Sequence, residues 1–397
     1  NVEVADLDGD GTREIITVVP NTIFSKWPIR LMVHQADGSL AWEKEIEGYG
    51  DPSHRLVIGD IDGDGTQEIF VLAPQFEKDR VWIELGNEIR GFHHDGEELG
   101  GAWPVVLEVY GSSMLMADMD QDGRQELLVT SRGGFGTQRS NYQVHLINAD
   151  GTLLENFSLP DRDIFLQPSY LDKSAVGNFD DDVDLEVVLG IDSWNLGVYN
   201  MDGSTVEGWP VRVEGRMEQS GPVVGDIDND GRDDIVLGLS ERWEDIYEAD
   251  WTPQLVVYKS SGVVMDGWPL VQLGDDYVES WESPALGDVD GDGQLEIVVY
   301  AKSGYWQGKV VLLNHSGEVM PGWPSPEDNY VGGPTLGDVT GDGLVDIVIA
   351  RDNAVKAWRI DGSNINDVPP RIERAAWTWV TIDDVNNDGL TDLVTTS

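Results

Sequence analysis

A nine-residue acidic phrase recurs eight times along this 397-residue chain, and no other feature constrains its fold so strongly. It reads DLDGDGTRE at 6–14, DIDGDGTQE at 60–68, DMDQDGRQE at 118–126 and NFDDDVDLE at 178–186. DIDNDGRDD at 226–234, DVDGDGQLE at 288–296, DVTGDGLVD at 338–346 and DVNNDGLTD at 384–392 complete the set. The first positions lie 46 to 62 residues apart. Self-similarity at such a period marks an array of supersecondary units, each packing mainly on its neighbours.

Within the phrase, oxygen donors at positions 1, 3 and 5 converge when the chain curls tightly. Position 6 is Gly in seven of eight copies, as a sharp turn requires. Position 7 would add its backbone carbonyl, and the acid at position 9 would close the shell. The expected donor sets are therefore Asp6, Asp8, Asp10, Thr12 and Glu14; Asp60, Asp62, Asp64, Thr66 and Glu68; Asp118, Asp120, Asp122, Arg124 and Glu126; Asn178, Asp180, Asp182, Asp184 and Glu186. The later sets are Asp226, Asp228, Asp230, Arg232 and Asp234; Asp288, Asp290, Asp292, Gln294 and Glu296; Asp338, Thr340, Asp342, Leu344 and Asp346; Asp384, Asn386, Asp388, Leu390 and Asp392. Calcium accepts six to eight oxygens in flexible geometry, whereas magnesium demands a strict octahedron. Zinc is a poor match, because Cys is absent and His is not clustered nearby. About six to eight Ca²⁺ ions are expected.

An isolated DGDG stretch reads equally well as Asx turns in a hairpin. Eight copies, each restoring an acid at position 9, argue for ligation. The phrase is not an EF-hand loop: position 12 is Thr17, Val71, Val129 or Val299 where an EF-hand needs Glu, and the flanks are β-rich. The fourth copy begins with Asn178 and has Val183 in place of Gly, so its curl should differ. The seventh has Thr340 and the eighth Asn386 at position 3.

The formal net charge is −49, and 29 of the carboxylates sit at positions 1, 3, 5 and 9 of the phrases. Without cations these acids repel one another and weaken the fold. Such acidity excludes nucleic acid as a partner, since phosphates would be repelled. No apolar run is long enough to imply membrane insertion. With no Cys there are no disulfides, and metals can tie the loops instead. Extracellular calcium fills weak loops that cytosolic calcium leaves empty, which places the protein outside the cell, secreted or at the cell surface. The chain reads as a mature form or as one domain of a longer multidomain surface protein.

Residues 284–324 show one whole unit: strand a (PALGDV), the acidic loop, strand b (EIVVY), a variable loop, strand c (KVVLLN), a tight turn and strand d (EVMPGWP). Asp-Gly or Ser-Gly between two apolar runs is a strong hairpin signal. Four antiparallel strands per unit define an all-β chain folded as a β-propeller of four-stranded antiparallel blades. The recurrent Trp42, Trp103, Trp209, Trp268 and Trp323 near strand d read as packing between blades, with sugar stacking as the alternative.

The DxDxDGxx[DE] phrase followed by a β-rich run resembles the FG-GAP/VCBS family of calcium-binding propeller repeats, which includes integrin α-subunit heads. The resemblance implies a single propeller over 1–397, with units starting near 1, 55, 113, 173, 221, 283, 333 and 378. Eight blades with an incomplete last one is the first expectation, and seven with a trailing hairpin the alternative. Closure of the incomplete blade would draw on strands from a longer parent chain.

The acidic loops and the c–d turns should share one face, leaving the variable loops on the other. His54, Arg55, Tyr110, Arg216, Tyr277, Trp281, Tyr330 and Trp377 are the candidate ligand-binding residues there, suited to a glycan or a protein. No nucleophile elbow or HExxH helix is present, and calcium ligation accounts for the paired carboxylates better than acid–base work. The expected function is thus a calcium-stabilised binding or adhesion propeller. A calcium-dependent polysaccharide lyase of rhamnogalacturonan-lyase type, with His54 as base, is one alternative; a structural segment of a surface fibre is another.

Overall fold

The computed structural model describes residues 2–20, 29–46, 56–77, 80–107, 110–132, 142–159, 174–192, 194–214, 216–217, 221–240, 254–270, 277–278, 283–302, 307–328, 332–351, 354–365, 380–389 and 391–395. These form eight antiparallel sheets and contain no helix. The first sheet sets the pattern, with strands a (Val2–Ala5), b (Glu14–Pro20), c (Ile29–His34) and d (Leu40–Ile46) in that spatial order. Each acidic phrase joins a to b, so that position 9 is the first residue of strand b in every sheet.

Strand b lies between a and c within its sheet, and its run of apolar residues is buried on both faces. In the second sheet Ile69, Phe70, Val71, Leu72 and Ala73 are all essentially inaccessible. Successive side chains of a strand point to opposite faces. Ile69, Val71 and Ala73 accordingly join the apolar layer shared with the first sheet, while Phe70 and Leu72 join the layer shared with the third. The same division repeats down the chain. Seven apolar clusters are sandwiched between consecutive sheets. This is the packing of a β-propeller, and it explains why strand b shows no polar alternation.

The eighth sheet has two described strands, Val380–Asp383 and Asp392–Thr395. It lies beside strand a of the first sheet. There the Arg13 N–H donates to Val385 O at 2.9 Å, Arg13 Nη1 donates to Asp384 O at 3.3 Å, and the guanidinium pairs with Asp383.

Strand d departs from the sequence expectation. It is regular in sheets one to three and two residues long in the fourth, at Val211–Arg212. Among the described residues of sheets five to seven it appears as isolated bridges such as Leu313↔Val319 and Gly308↔Asp328. The Gly-Trp-Pro triplet is a bend rather than the end of a strand: the Trp209, Trp268 and Trp323 N–H groups donate back to residues 206, 265 and 320. The following proline has no N–H to continue a ladder.

The tryptophans at that bend settle their own role. Trp103, Trp209, Trp268 and Trp323 are less than a tenth exposed, which leaves no face for a sugar ring. Their indoles reach forward to the next sheet. Trp103 Nε1 donates to Ala149 O, Trp209 Nε1 to Ser260 O at 2.7 Å and Trp323 Nε1 to Ile360 O, each acceptor lying in the neighbouring c–d turn. Trp42 makes the same contact with His94 O. Trp268 Nε1 is buried with no partner. Trp209→Phe should therefore cost about 1–2 kcal/mol more than Trp268→Phe in urea unfolding, because only the first strands a buried carbonyl; equal losses would show that the indole bond contributes nothing.

Candidate metal loops

The curl of each loop is built by its own carboxylates. The position 1 carboxylate accepts the N–H of the position 6 glycine at 2.7–3.0 Å in seven loops, for example Gly231 to Asp226 and Gly343 to Asp338. The position 5 carboxylate accepts the position 7 N–H, as Thr12 to Asp10 at 2.7 Å and Gln294 to Asp292 at 2.8 Å. Position 3 accepts from position 5, as Asp64 to Asp62 and Asp122 to Asp120. The position 6 glycines sit at φ +84 to +93, a region that L side chains rarely adopt.

Position 4 is left-handed as well, at Gly9, Gly63, Gln121, Asn229, Gly291, Gly341 and Asn387. That requirement was visible as the recurrence of Gly and Asn, and it was not drawn from the sequence. The fourth loop differs as anticipated. Val183 does not take the left-handed conformation, and Asn178 Nδ2 instead donates to Asp182 O at 3.2 Å. Asp180, Asp182 and Glu186 still converge.

The position 9 acid is the anchor of every loop. One of its oxygens accepts the N–H of position 2 in all eight: Leu7 to Glu14, Ile61 to Glu68, Met119 to Glu126, Phe179 to Glu186, Ile227 to Asp234, Val289 to Glu296, Val339 to Asp346 and Val385 to Asp392. The sequence reading passed over position 2, although it is apolar in every copy. Its side chain enters the layer against the next sheet, as Leu7, Ile61, Met119, Phe179, Ile227 and Val289 show. Position 8 completes the coupling between loops. Its N–H donates to a carbonyl at position 1 or 2 of the preceding loop, as Gln67 to Leu7, Leu185 to Met119 and Asp233 to Asn178, all at 2.8 Å.

These contacts leave oxygens over. Buried and without a hydrogen-bond donor are Asp6 Oδ1, Glu68 Oε1, Asp118 Oδ1, Asn178 Oδ1, Asp228 Oδ1 and Asp346 Oδ1. His93 Nδ1 lies 3.5 Å from Glu68 Oε1. Orphaned buried acceptors are rare, and a hard cation is the partner that a set of carboxylate oxygens fits. One oxygen each from Asp6, Asp8 and Asp10 lies within 4.8 Å of the others, and the same holds for Asp60, Asp62 and Glu68, for Asp118, Asp120 and Asp122, and for Asp226, Asp228 and Asp230. Asx turns and ligation are thus compatible: one oxygen of an acid can serve the backbone while the other faces the cluster.

Electrostatics agree. Burial, opposed by the position 2 N–H and reinforced by the neighbouring aspartates, pushes Glu126, Glu186, Asp234 and Glu296 up to about 7, and raises Glu14, Glu68 and Asp346. A Glu held near 7 when folded and near its ordinary 4.5 when unfolded binds more protons in the folded state between those values. Stability of the metal-free chain should therefore fall as pH rises from about 4.5 to about 7 and remain low above that. Melting curves in chelator across this range check it; a stability that rises with pH contradicts it.

Among the proposed ligand-face residues, His54, Arg55, Trp281, Tyr330 and Trp377 lie outside the described residues, and so does Leu390. Tyr110, Arg216 and Tyr277 are placed only as strand residues. The two faces are distinguished by register. Ile15 pairs with His34 and Ile297 with Leu313, so each acidic loop lies at the same end of its sheet as the c–d turn.

The sandwiched sheets and their acidic a–b loops define the class as a β-propeller with an acidic loop in each repeat, and comparison with known proteins specifies it. Residues 2–71 and 338–395 match the FG-GAP-like repeat, and residues 280–313 match the FG-GAP repeat. These matches take in the first, second, sixth, seventh and eighth acidic loops. No curated protein sequence matches it. Among solved structures it is similar in fold to BBS1N in complex with ARL6DN, with a TM-score of 0.50, 13% identity, and coverage of 88% of this chain and 86% of that one. The biofilm matrix protein Bap1 of V. cholerae also matches, with a TM-score of 0.34, 14% identity, and coverage of 89% and 74%. A protein from Lactobacillus plantarum matches with a TM-score of 0.46, 14% identity, and coverage of 92% and 97%.

Proposed function

We propose that the chain is a calcium-stabilised extracellular binding propeller of eight blades, forming one domain over 1–397, with a glycan or protein ligand on the face opposite the acidic loops. The observation that carries the metal part is the set of buried, donorless oxygens at the centre of the loops. Asp6, Asp8, Asp10 and Glu14 would hold the ion in the first loop, and the corresponding residues would do so in the others. Calcium supplies positive charge that neutralises the clustered acids and fills their vacant lone pairs.

Bound calcium would also join blades, because position 2 and position 8 of neighbouring loops are bonded to each other. A rigid ring then offers its variable loops as a fixed platform. The charge of −49 supports a setting where divalent ions are abundant, and it turns nucleic acid away. No described helix is long and apolar enough to cross a membrane. BBS1N, similar in fold, is recorded in complex with a protein, which favours a protein ligand over none.

Elemental analysis of undenatured protein should find six to eight calcium ions per chain, and excess EDTA should lower the melting temperature sharply. Absence of stoichiometric calcium removes the metal reading. Asp292→Ala should reduce the bound calcium by one while leaving most of the calcium-dependent stabilisation; loss of all ions together would mean that the loops do not bind independently. A glycan array and a pull-down with exoprotein, both in calcium, test the binding face.

A further inference from the structure

The residue that follows strand c and opens the c–d turn occupies one structural position in seven sheets. Its N–H donates to the carbonyl four residues on, and its own carbonyl accepts from a glycine three residues on. Because this turn shares an end of the sheet with the acidic loop, the side chain there is within reach of the acids. In four sheets it is a neutral amide: Gln35, Asn148, Asn200 and Asn314. In the second sheet it is His93, whose Nδ1 lies 3.5 Å from Glu68 Oε1, in the fifth Lys259 and in the seventh Arg359.

Lys259 follows Tyr258, which pairs with Ile235, the residue after the position 9 acid Asp234. Its Nζ donates to Asp228 Oδ2 at 2.6 Å, and the Lys259 side chain is 37% exposed. Asp228 is the position 3 donor of the fifth loop. Its other oxygen is buried without a partner. Arg359 approaches the seventh loop more loosely, with Nη2 at 3.5 Å from Asp342 Oδ2. A charge at 2.6 Å from a part-buried carboxylate neutralises it and competes with any second cation for the same oxygen.

We propose that Lys259 is a built-in counter-cation of the fifth loop. This inference rests on the reading of the loops as calcium sites. The ammonium holds Asp228 in place without a metal, and it lowers the calcium affinity of this loop below that of loops whose turn residue is an amide. The ring then has graded sites: amide loops fill first, and the lysine loop fills last or stays closed by its own cation.

The test is calcium titration of the full metal-stripped chain by calorimetry, with wild type, Lys259→Gln and Asn314→Lys compared. Lys259→Gln should tighten the weakest class of site about tenfold or add one ion to the count. It should also melt below wild type in chelator and level with it in saturating calcium. Asn314→Lys should weaken one site by a similar factor. A variant isotherm superimposable on wild type, or an equal loss of stability with and without calcium, overturns the inference and leaves Lys259 a plain surface ion pair. If Lys259→Gln is poorly folded, Asn314→Lys decides by the same isotherm. A wild-type chain that takes up no calcium overturns both this inference and the reading beneath it, whereas unchanged variants beside a calcium-binding wild type overturn the inference alone.

Discussion

The whole molecule depends on one hydrogen bond repeated eight times, from the backbone N–H at position 2 of each acidic loop to the carboxylate at position 9, which is buried in seven loops and half-buried in the eighth. It fixes the curl that gathers the other acids. It also places an apolar side chain into the layer against the next sheet. Electrostatic cost and hydrophobic gain are therefore tied to the same few atoms. Burying the position 9 acid raises its pKa because the charged form loses water. The fold accepts that cost because the neighbouring position 2 residue is buried with it.

Order between sheets follows from the same atoms. A glycine just before the loop in the second, fourth and fifth sheets admits the position 8 side chain of the following loop. A Cβ at Gly59 would lie 2.3 Å from Gln125 Oε1, and one at Gly225 would lie 2.7 Å from Leu295 Cδ1. The indole bonds of Trp103, Trp209 and Trp323 tie their bends to the next c–d turn. Sheet succeeds sheet through a small number of repeated clasps around apolar layers, and the acids are presented in a regular series at one end.

Much of this was legible in the sequence. The eight phrases, the β-rich run after each and the Asp-Gly hairpins are local signals, and local signals survive folding. Gly at position 6 announced its own left-handed turn. What escaped was relational. Apolar position 2 gains its meaning only from the layer it enters, which lies against the next sheet. Lys259 and Arg359 carry no local signal, since nothing in their own segment names the distant acid they face. Strand d was overextended because Gly-Trp-Pro sits among β-formers, while its bend is imposed by a proline with no N–H and an indole committed to the next sheet. The ligand-face aromatics offered composition alone, and composition does not place side chains.

The seam between the first and eighth sheets has a kinetic meaning. Elsewhere each interface joins segments about one repeat apart, so each can form as soon as the next sheet is made. Arg13 and Asp384, by contrast, are 371 positions apart. Loop-closure entropy rises with that span. Assembly by accretion from sheet to sheet would leave this junction for last, and the single arginine there acts as the latch of a nearly finished ring.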